Sequence, residues 1–283
     1  MIQGIHTIVC DLDGTLLNSD ASISSFTRNT LQEALTQGLY LIIASGRRYR
    51  ACLPYIELFQ GSIGVVCNNG QVLREYPGHE IIQENFLDPV ELKSIVQMAS
   101  RMKFSPILHV SFPERNQVEI LYDASHSNPA YERYLRSKLL FSELESDPVR
   151  AGTDRILVCC FFSDSKTEIQ YLKNRIDREM QGDKTRTVLS EIPDIGFCLE
   201  ILKANISKWS GIEYFARIKN KAENGIICFG DEGNDIEMLK SVKHGIAMKN
   251  ASAEAKKAAK IQNPYSNDED GVARFLLEKG IVK

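Results

Sequence analysis

Short apolar runs rich in β-branched residues recur along the chain, and in its outer parts each leads into a stretch with helical periodicity. His6–Cys10 is the first run. Ser24 then stands as an N-cap, Phe26, Thr30, Leu31, Ala34 and Leu35 form a helical stripe, and Gly38 ends it. Leu39–Ala44 and Ile63–Cys67 read as the second and third strands. Towards the end the pattern predicts a helix over Ser207–Lys219, a strand over Gly225–Phe229, a helix over Asp235–Ser241 and a strand over Gly245–Met248. Strands apolar on both faces and alternating with helices define a parallel sheet covered on each side. The predicted class is α/β, with a Rossmann-like parallel sheet core and helices on both faces.

The middle of the chain has another rhythm. Ile81–Asn85 reads as a strand or a connector. Asp88, Pro89 and Glu91 supply an N-cap, a proline at the first helical position and a capping-box acid, opening a helix to about Lys103. Strands are predicted over Ile107–Phe112 and Val118–Tyr122, then a helix from Pro129 to about Leu139. Strand Ile156–Phe162, a helix from Asp164 to about Met180, and strands Arg186–Leu189 and Gly196–Leu202 complete the segment. Strand, helix, strand, strand thus occurs twice, which predicts an inserted α+β domain. The expected division is 1–84 with 201–283 for the sheet domain and 85–200 for the insert, which at about 115 residues is large enough for a core of its own.

Composition narrows the function. At 283 residues the chain is long enough for roughly two domains. Its formal charge of −3, from 34 basic and 37 acidic residues, lacks the basic excess of a nucleic-acid binder. The apolar runs fall far short of a membrane span, and the N-terminal residues carry no secretory pattern. Seven cysteines without a C-x-x-C pair read as core residues in a reducing compartment, so a cytoplasmic setting is expected. No obligate protein partner is evident.

The chemistry sits where the outer strands stop. The first runs into Asp11-Leu12-Asp13-Gly14-Thr15, the second into Ser45-Gly46-Arg47 and the third into Asn68-Asn69-Gly70. The fourth ends in Gly230-Asp231-Glu232-Gly233-Asn234-Asp235 and the fifth in Lys249-Asn250. Ligands of an open parallel sheet bind outside the carboxyl ends of its strands, so these groups are expected on one rim. Carboxylates buried together require a cation. Asp11, Asp13 and Asp231 make an all-oxygen site suited to Mg²⁺. Thr15 adds a hydroxyl and an amide, and Ser45, the Gly46 amide, Lys208 and Asn234 are donors for an anionic ligand. Positioning and charge neutralisation of this kind are what phosphoryl transfer needs.

Asp11-Leu12-Asp13-Gly14-Thr15-Leu16-Leu17, Ser45-Gly46-Arg47, Lys208 and Gly230-Asp231-x-x-Asn234-Asp235 resemble the four ordered motifs of the haloacid-dehalogenase-like (HAD) phosphohydrolases. The large insert resembles the α/β cap of their Cof-type subfamily, and Gly245–Ala251 with Asn267–Ala273 resembles its tail. The resemblance implies that Asp11 is a nucleophile forming an aspartyl-phosphate and a metal ligand, and that Asp13 is the acid/base, its main-chain carbonyl meeting the metal. It implies that Thr15, Ser45, Gly46 and Asn234 lie on the phosphate side and that Lys208 neutralises charge. Asp231 would be the main acidic ligand, with Asp235 supporting the Mg²⁺ site. Ser45 stands where Thr is more frequent, Trp209 where Gly is usual, and Lys203 and Asn205 where Pro and Gly are typical.

The expected function is therefore a Mg²⁺-dependent phosphatase of a small phosphorylated metabolite, a sugar phosphate or phosphorylated cofactor. The alternatives are a phosphosugar mutase of the same superfamily or a silent sensor of phosphorylated ligands. An EF-hand fails at Asp11–Ser22, because Leu16 stands where Gly is needed and Ser22 where Glu is. A serine-esterase elbow fails at Ser45. Asp268 and Asp270 read as acids at a helix N-cap, Arg47, Arg48 and Arg50 as a phosphate extension or a solvated basic face, and Lys256, Lys257 and Lys260 as the exposed side of a helix.

Overall fold

A computed structural model describes residues 2–112, 118–180 and 184–283. The chain divides into two compact units, Met1–Glu84 with Ile206–Lys283, and Asn85–Asn205.

The first unit begins with β1 (Thr7–Cys10), α1 (Ser25–Thr36), β2 (Tyr40–Ala44), α2 (Tyr49–Ile56) and β3 (Ile63–Cys67), followed by the hairpin of β4 (Val72–Tyr76) and β5 (Glu80–Glu84). The inserted unit contains α3 (Pro89–Arg101), β6 (Ile107–Val110), β7 (Ile120–Tyr122), α4 (Pro129–Arg136), β8 (Ser142–Leu144), α5 (Pro148–Ala151), β9 (Ile156–Ser163), α6 (Lys166–Glu179), β10 (Thr185–Ile192) and β11 (Gly196–Lys203). The first unit resumes with α7 (Lys208–Ile218), β12 (Ile226–Gly230), α8 (Ile236–Ser241), β13 (His244–Ala247), α9 (Ala253–Ala258), β14 (Ile261–Gln262) and α10 (Gly271–Glu278).

The first sheet has the order β14-β13-β12-β1-β2-β3-β4-β5. It is parallel from β14 to β3 and antiparallel at β4 and β5. Its central strands are buried along their whole length, apart from half-buried Tyr40 at the start of β2, as their uninterrupted apolar runs require. Ser24 Oγ accepts the amide of Thr27 at 3.0 Å, as the pattern indicates, and the structure adds a capping box of Ser207 and Ser210 at the head of α7.

In the second unit the sheet order is β10-β11-β9-β6-β7-β8. Leu92 and Ile95 of α3 and Ile169, Leu172 and Ile176 of α6 pack with Leu108, Cys159, Phe161, Leu199 and Ile201 of the strands in one buried cluster. Asp88 caps α3 through the amides of Val90 and Glu91, while the Glu91 carboxylate accepts from Thr185 instead of reaching back.

Three elements depart from the pattern. The stretch 81–85 does not open the insert, because β5 pairs antiparallel with β4 at the edge of the first sheet. The insert's first half is accordingly helix, strand, strand. Helix α2, carrying Pro54 inside it, fills what read as a connection between β2 and β3. Asp270 stands at the N-cap of α10 as the pattern indicates, but neither acid caps the helix with its side chain: Asp268 accepts from the Ser19 amide and hydroxyl, and Asp270 from Ser24 and Thr27, tying the tail to the segment after β1. Among the described residues no helix is long and apolar enough to cross a membrane, and all seven cysteines are buried and free.

Candidate active site

Strand β1 and its neighbour β12 run parallel in register, Cys10 opposite Phe229, so their C-terminal ends deliver Asp11 and Asp231 side by side. One carboxylate oxygen each from Asp11, Asp231 and Asp235 lie within 4.8 Å of one another, and all three residues are buried. The ammonium of Lys208, 1% exposed, enters from the first turn of α7. It donates to Asp11 Oδ1 and to Asp235 Oδ1, both at 2.7 Å.

The remaining oxygens divide the three carboxylates into two kinds. Asp235 Oδ2 accepts from the amides of Asp231 and Glu232 at 2.9 and 3.0 Å, so both its oxygens are spent on shaping the loop and holding the lysine. Asp231 Oδ1 accepts from the Thr15 hydroxyl at 2.7 Å. Oδ2 of Asp11 and Oδ2 of Asp231 are engaged by no hydrogen bond among the described residues. A Cβ on Gly14 (φ +72°) would lie 2.2 Å from Asp231 Oδ2, so the turn after β1 must be glycine for the two loops to close on each other.

Electrostatics follow from this crowding. Burial drives the Asp11 carboxyl well above the ordinary range, against the pull of Lys208 and with the push of Asp235 and Asp231. Burial likewise pushes Asp231 up to about 7, despite the Thr15 hydrogen bond. For Lys208 burial works downward, but the carboxylates of Asp11 and Asp235 outweigh it and keep the ammonium charged. One positive charge among three buried carboxylates leaves a deficit. Hard oxygen donors with two oxygens unspent fit a divalent cation.

The expected site residues fall into two groups. Asp11, Thr15, Lys208, Asp231 and Asp235 meet in one network. Thr15, expected on the phosphate side, spends its hydroxyl on Asp231. The Asp13 carboxylate, counted among the metal residues from sequence, lies outside the cluster and pairs with Arg47. The Asp13 side chain is 58% exposed, and the backbone turns over at Gly14 immediately after it. Ser45 is buried at the end of β2 and its Oγ accepts the Arg47 amide at 3.1 Å. Asn234 donates to Asn69 Oδ1 at 3.0 Å.

Three residues that the sequence placed at strand ends, without a defined role in the site, contribute to it. Asn69, in a left-handed turn with Asn68 and Gly70, also bonds its amide to Ser45 O and leaves only 3.3 Å for a Cβ at Gly46. Asn250 donates to Gly14 O at 2.7 Å, steadying the turn from another strand end. Arg47 is the third. The polar strand ends Asn68-Asn69-Gly70 and Lys249-Asn250 were the available signal for the first two.

The profile of the haloacid dehalogenase-like hydrolase family matches residues 8–276. YxeH of Bacillus subtilis, provisionally named a phosphatase, is 25% identical over 98% of both chains. The 5-amino-6-(5-phospho-D-ribitylamino)uracil phosphatase YitU of the same organism is 27% identical over 96% of this chain and 97% of its own. The crystal structure of a haloacid dehalogenase-like hydrolase from Bacteroides thetaiotaomicron superposes with a TM-score of 0.80 at 26% identity, covering 97% of this chain and 99% of that one.

Proposed function

The chain belongs to the haloacid dehalogenase-like hydrolase family and is a phosphomonoesterase; from that premise we propose that it is Mg²⁺-dependent, takes a small phosphorylated metabolite and works through an aspartyl-phosphate on Asp11. The observation that carries the reading is the meeting of Asp11, Asp231 and Asp235, with Asp11 and Asp235 sharing the ammonium of Lys208.

The chemistry assigns a task to each group. Asp11 attacks phosphorus with a carboxylate oxygen, and the ester P–O bond breaks. Asp13 gives its proton to the departing oxygen, so an alcohol leaves and Asp13 becomes a carboxylate. That carboxylate then takes a proton from water as the water oxygen attacks phosphorus. The Asp11–phosphorus linkage breaks and orthophosphate departs. Lys208 holds Asp11 in one orientation and offsets charge on the phosphoryl oxygens. Ser45, the Gly46 amide and Asn234 bind those oxygens, and Thr15 supports from behind through Asp231. Asp11, Asp231 and the main-chain carbonyl of Asp13 would hold Mg²⁺, with Asp235 ordering the loop, and the ion would supply the charge neutralisation that lets a carboxylate approach a phosphate.

The name of YitU, a phosphatase of a phosphorylated ribityl compound, supports a phosphorylated sugar or cofactor-like metabolite as substrate. Seven reduced, buried thiols support a cytoplasmic setting. The test measures orthophosphate release from a panel of phosphorylated metabolites. Mg²⁺ supports turnover, chelation stops it, and Asp11→Asn abolishes it while the protein stays folded. Turnover that survives either treatment excludes the mechanism, and isomerised sugar phosphate without orthophosphate would make the chain a mutase.

A further inference from the structure

Arg47 and Tyr55 take no part in the assignments above, yet they form a fixed assembly on Asp13. The Arg47 fork donates from Nε to Asp13 Oδ2 at 2.8 Å and from Nη2 to Asp13 Oδ1 at 2.5 Å. Its third nitrogen, Nη1, donates to the Tyr55 hydroxyl at 3.2 Å, and the guanidinium carbon lies 5.2 Å from the centre of the Tyr55 ring. The backbone is tied as well. The Arg47 amide donates to Ser45 Oγ at 3.1 Å and its carbonyl accepts from the Asn68 amide at 2.9 Å.

The side chains of the pair are 28% and 58% exposed, so solvent screens it and it adds little to the stability of the fold. A two-pronged fork does something a point charge does not: it fixes the plane of the carboxylate. Tyr55, on α2, fixes the fork in turn. Each nitrogen of the Arg47 guanidinium donates to Asp13 or Tyr55, so these two side chains set the direction of the fork.

We propose that Arg47, braced by Tyr55, is the positioning residue of Asp13: it aims the carboxyl at the ester oxygen that leaves. The inference rests on the reading of Asp13 as the acid/base. In the step concerned, the Asp13 O–H bond breaks and its proton joins the departing oxygen as the P–O bond opens, leaving Asp13 as a carboxylate.

The experiment follows kcat/KM, which ends at leaving-group release, for an alkyl phosphate and for 2,4-dinitrophenyl phosphate, whose leaving group needs no proton. Arg47→Ala is expected to lower the alkyl value about 100-fold and the dinitrophenyl value by no more than about threefold, as loss of general-acid catalysis requires. Arg47→Lys keeps the charge without the fork and is expected to show the same split, smaller in size. Equal losses on both esters in a variant with an unchanged circular dichroism spectrum would make Arg47 a phosphate ligand and overturn the proposal, as would no loss on either. If Arg47→Ala does not fold, Tyr55→Phe, which removes one hydroxyl, carries the test: a selective fall on the alkyl ester supports the proposal, and an equal fall or none overturns it. A wild-type protein inactive on both esters, or unaffected by Asp11→Asn, would instead bring down the proposed function.

Discussion

Asp11 and Asp13 stand two positions apart on one strand end, each paired to a cation, and their surroundings are opposite. The Asp11 side chain is 7% exposed and its lysine partner 1%, with a second carboxylate, Asp235, on the same ammonium. The Asp13 side chain is 58% exposed and meets its arginine at the surface. In the buried network water cannot compensate for a missing charge, so each member depends on the others. At the exposed pair water screens the charges, and what remains is geometry. The division suits the two tasks proposed for them. A nucleophile must be held charged and aimed without hydration, whereas a group that gains and loses a proton in every turnover benefits from access to water.

The contrast can be broken most forcefully at Lys208. Lys208→Met leaves Asp11 and Asp235 buried without their cation and is expected to cost about 3–5 kcal/mol of stability along with turnover. Denaturant unfolding of the Mg²⁺-free protein checks it, and a loss below about 1 kcal/mol would mean that the lysine carries no such load. On the exposed side the same operation should do little to the fold. Asp13→Asn is expected to change stability by only about 0–1 kcal/mol while reducing turnover of an alkyl phosphate by about 10²–10⁴-fold. A large stability loss there would erase the distinction between the two pairs.

The smallest effect sharpens the exposed case. The Ser266 amide, then Lys249 and the Ser266 hydroxyl, hold the Glu269 carboxyl down at about 2, against an ordinary value of 4.5. A carboxyl whose value falls on folding contributes stability that is complete above its unfolded value and disappears as pH drops through its folded one. Glu269→Gln is therefore expected to melt slightly below the wild type at neutral pH. The gap should stay constant down to about pH 5 and close between about 4.5 and 2. Melting curves across that range check the sign, and a gap that widens in acid would contradict it.

Where the chain departs from its local pattern, the departures share a cause. The hairpin of β4 and β5 is partly exposed from Arg74 onward, so it lacks the continuous apolar run that marks a buried strand. The stretch 81–85 could not reveal its sheet, because edge pairing follows from the turn that brings β5 back beside β4. In α2, Arg50 and Pro54 interrupt the helical stripe. The caps at Ser24 and Asp88 were legible because each acts within three residues of itself.

The sequence by itself determined the alternation of strands and helices, the class of the fold and the polar groups at each strand end, since side-chain period and capping are short-range effects. Tertiary structure decided which of those groups share a network: Lys208 between two carboxylates, Thr15 turned to Asp231, Asn234 to Asn69, and Asp13 drawn out to Arg47. A charge's partner depends on where water is excluded, and that is settled only when distant segments close against one another.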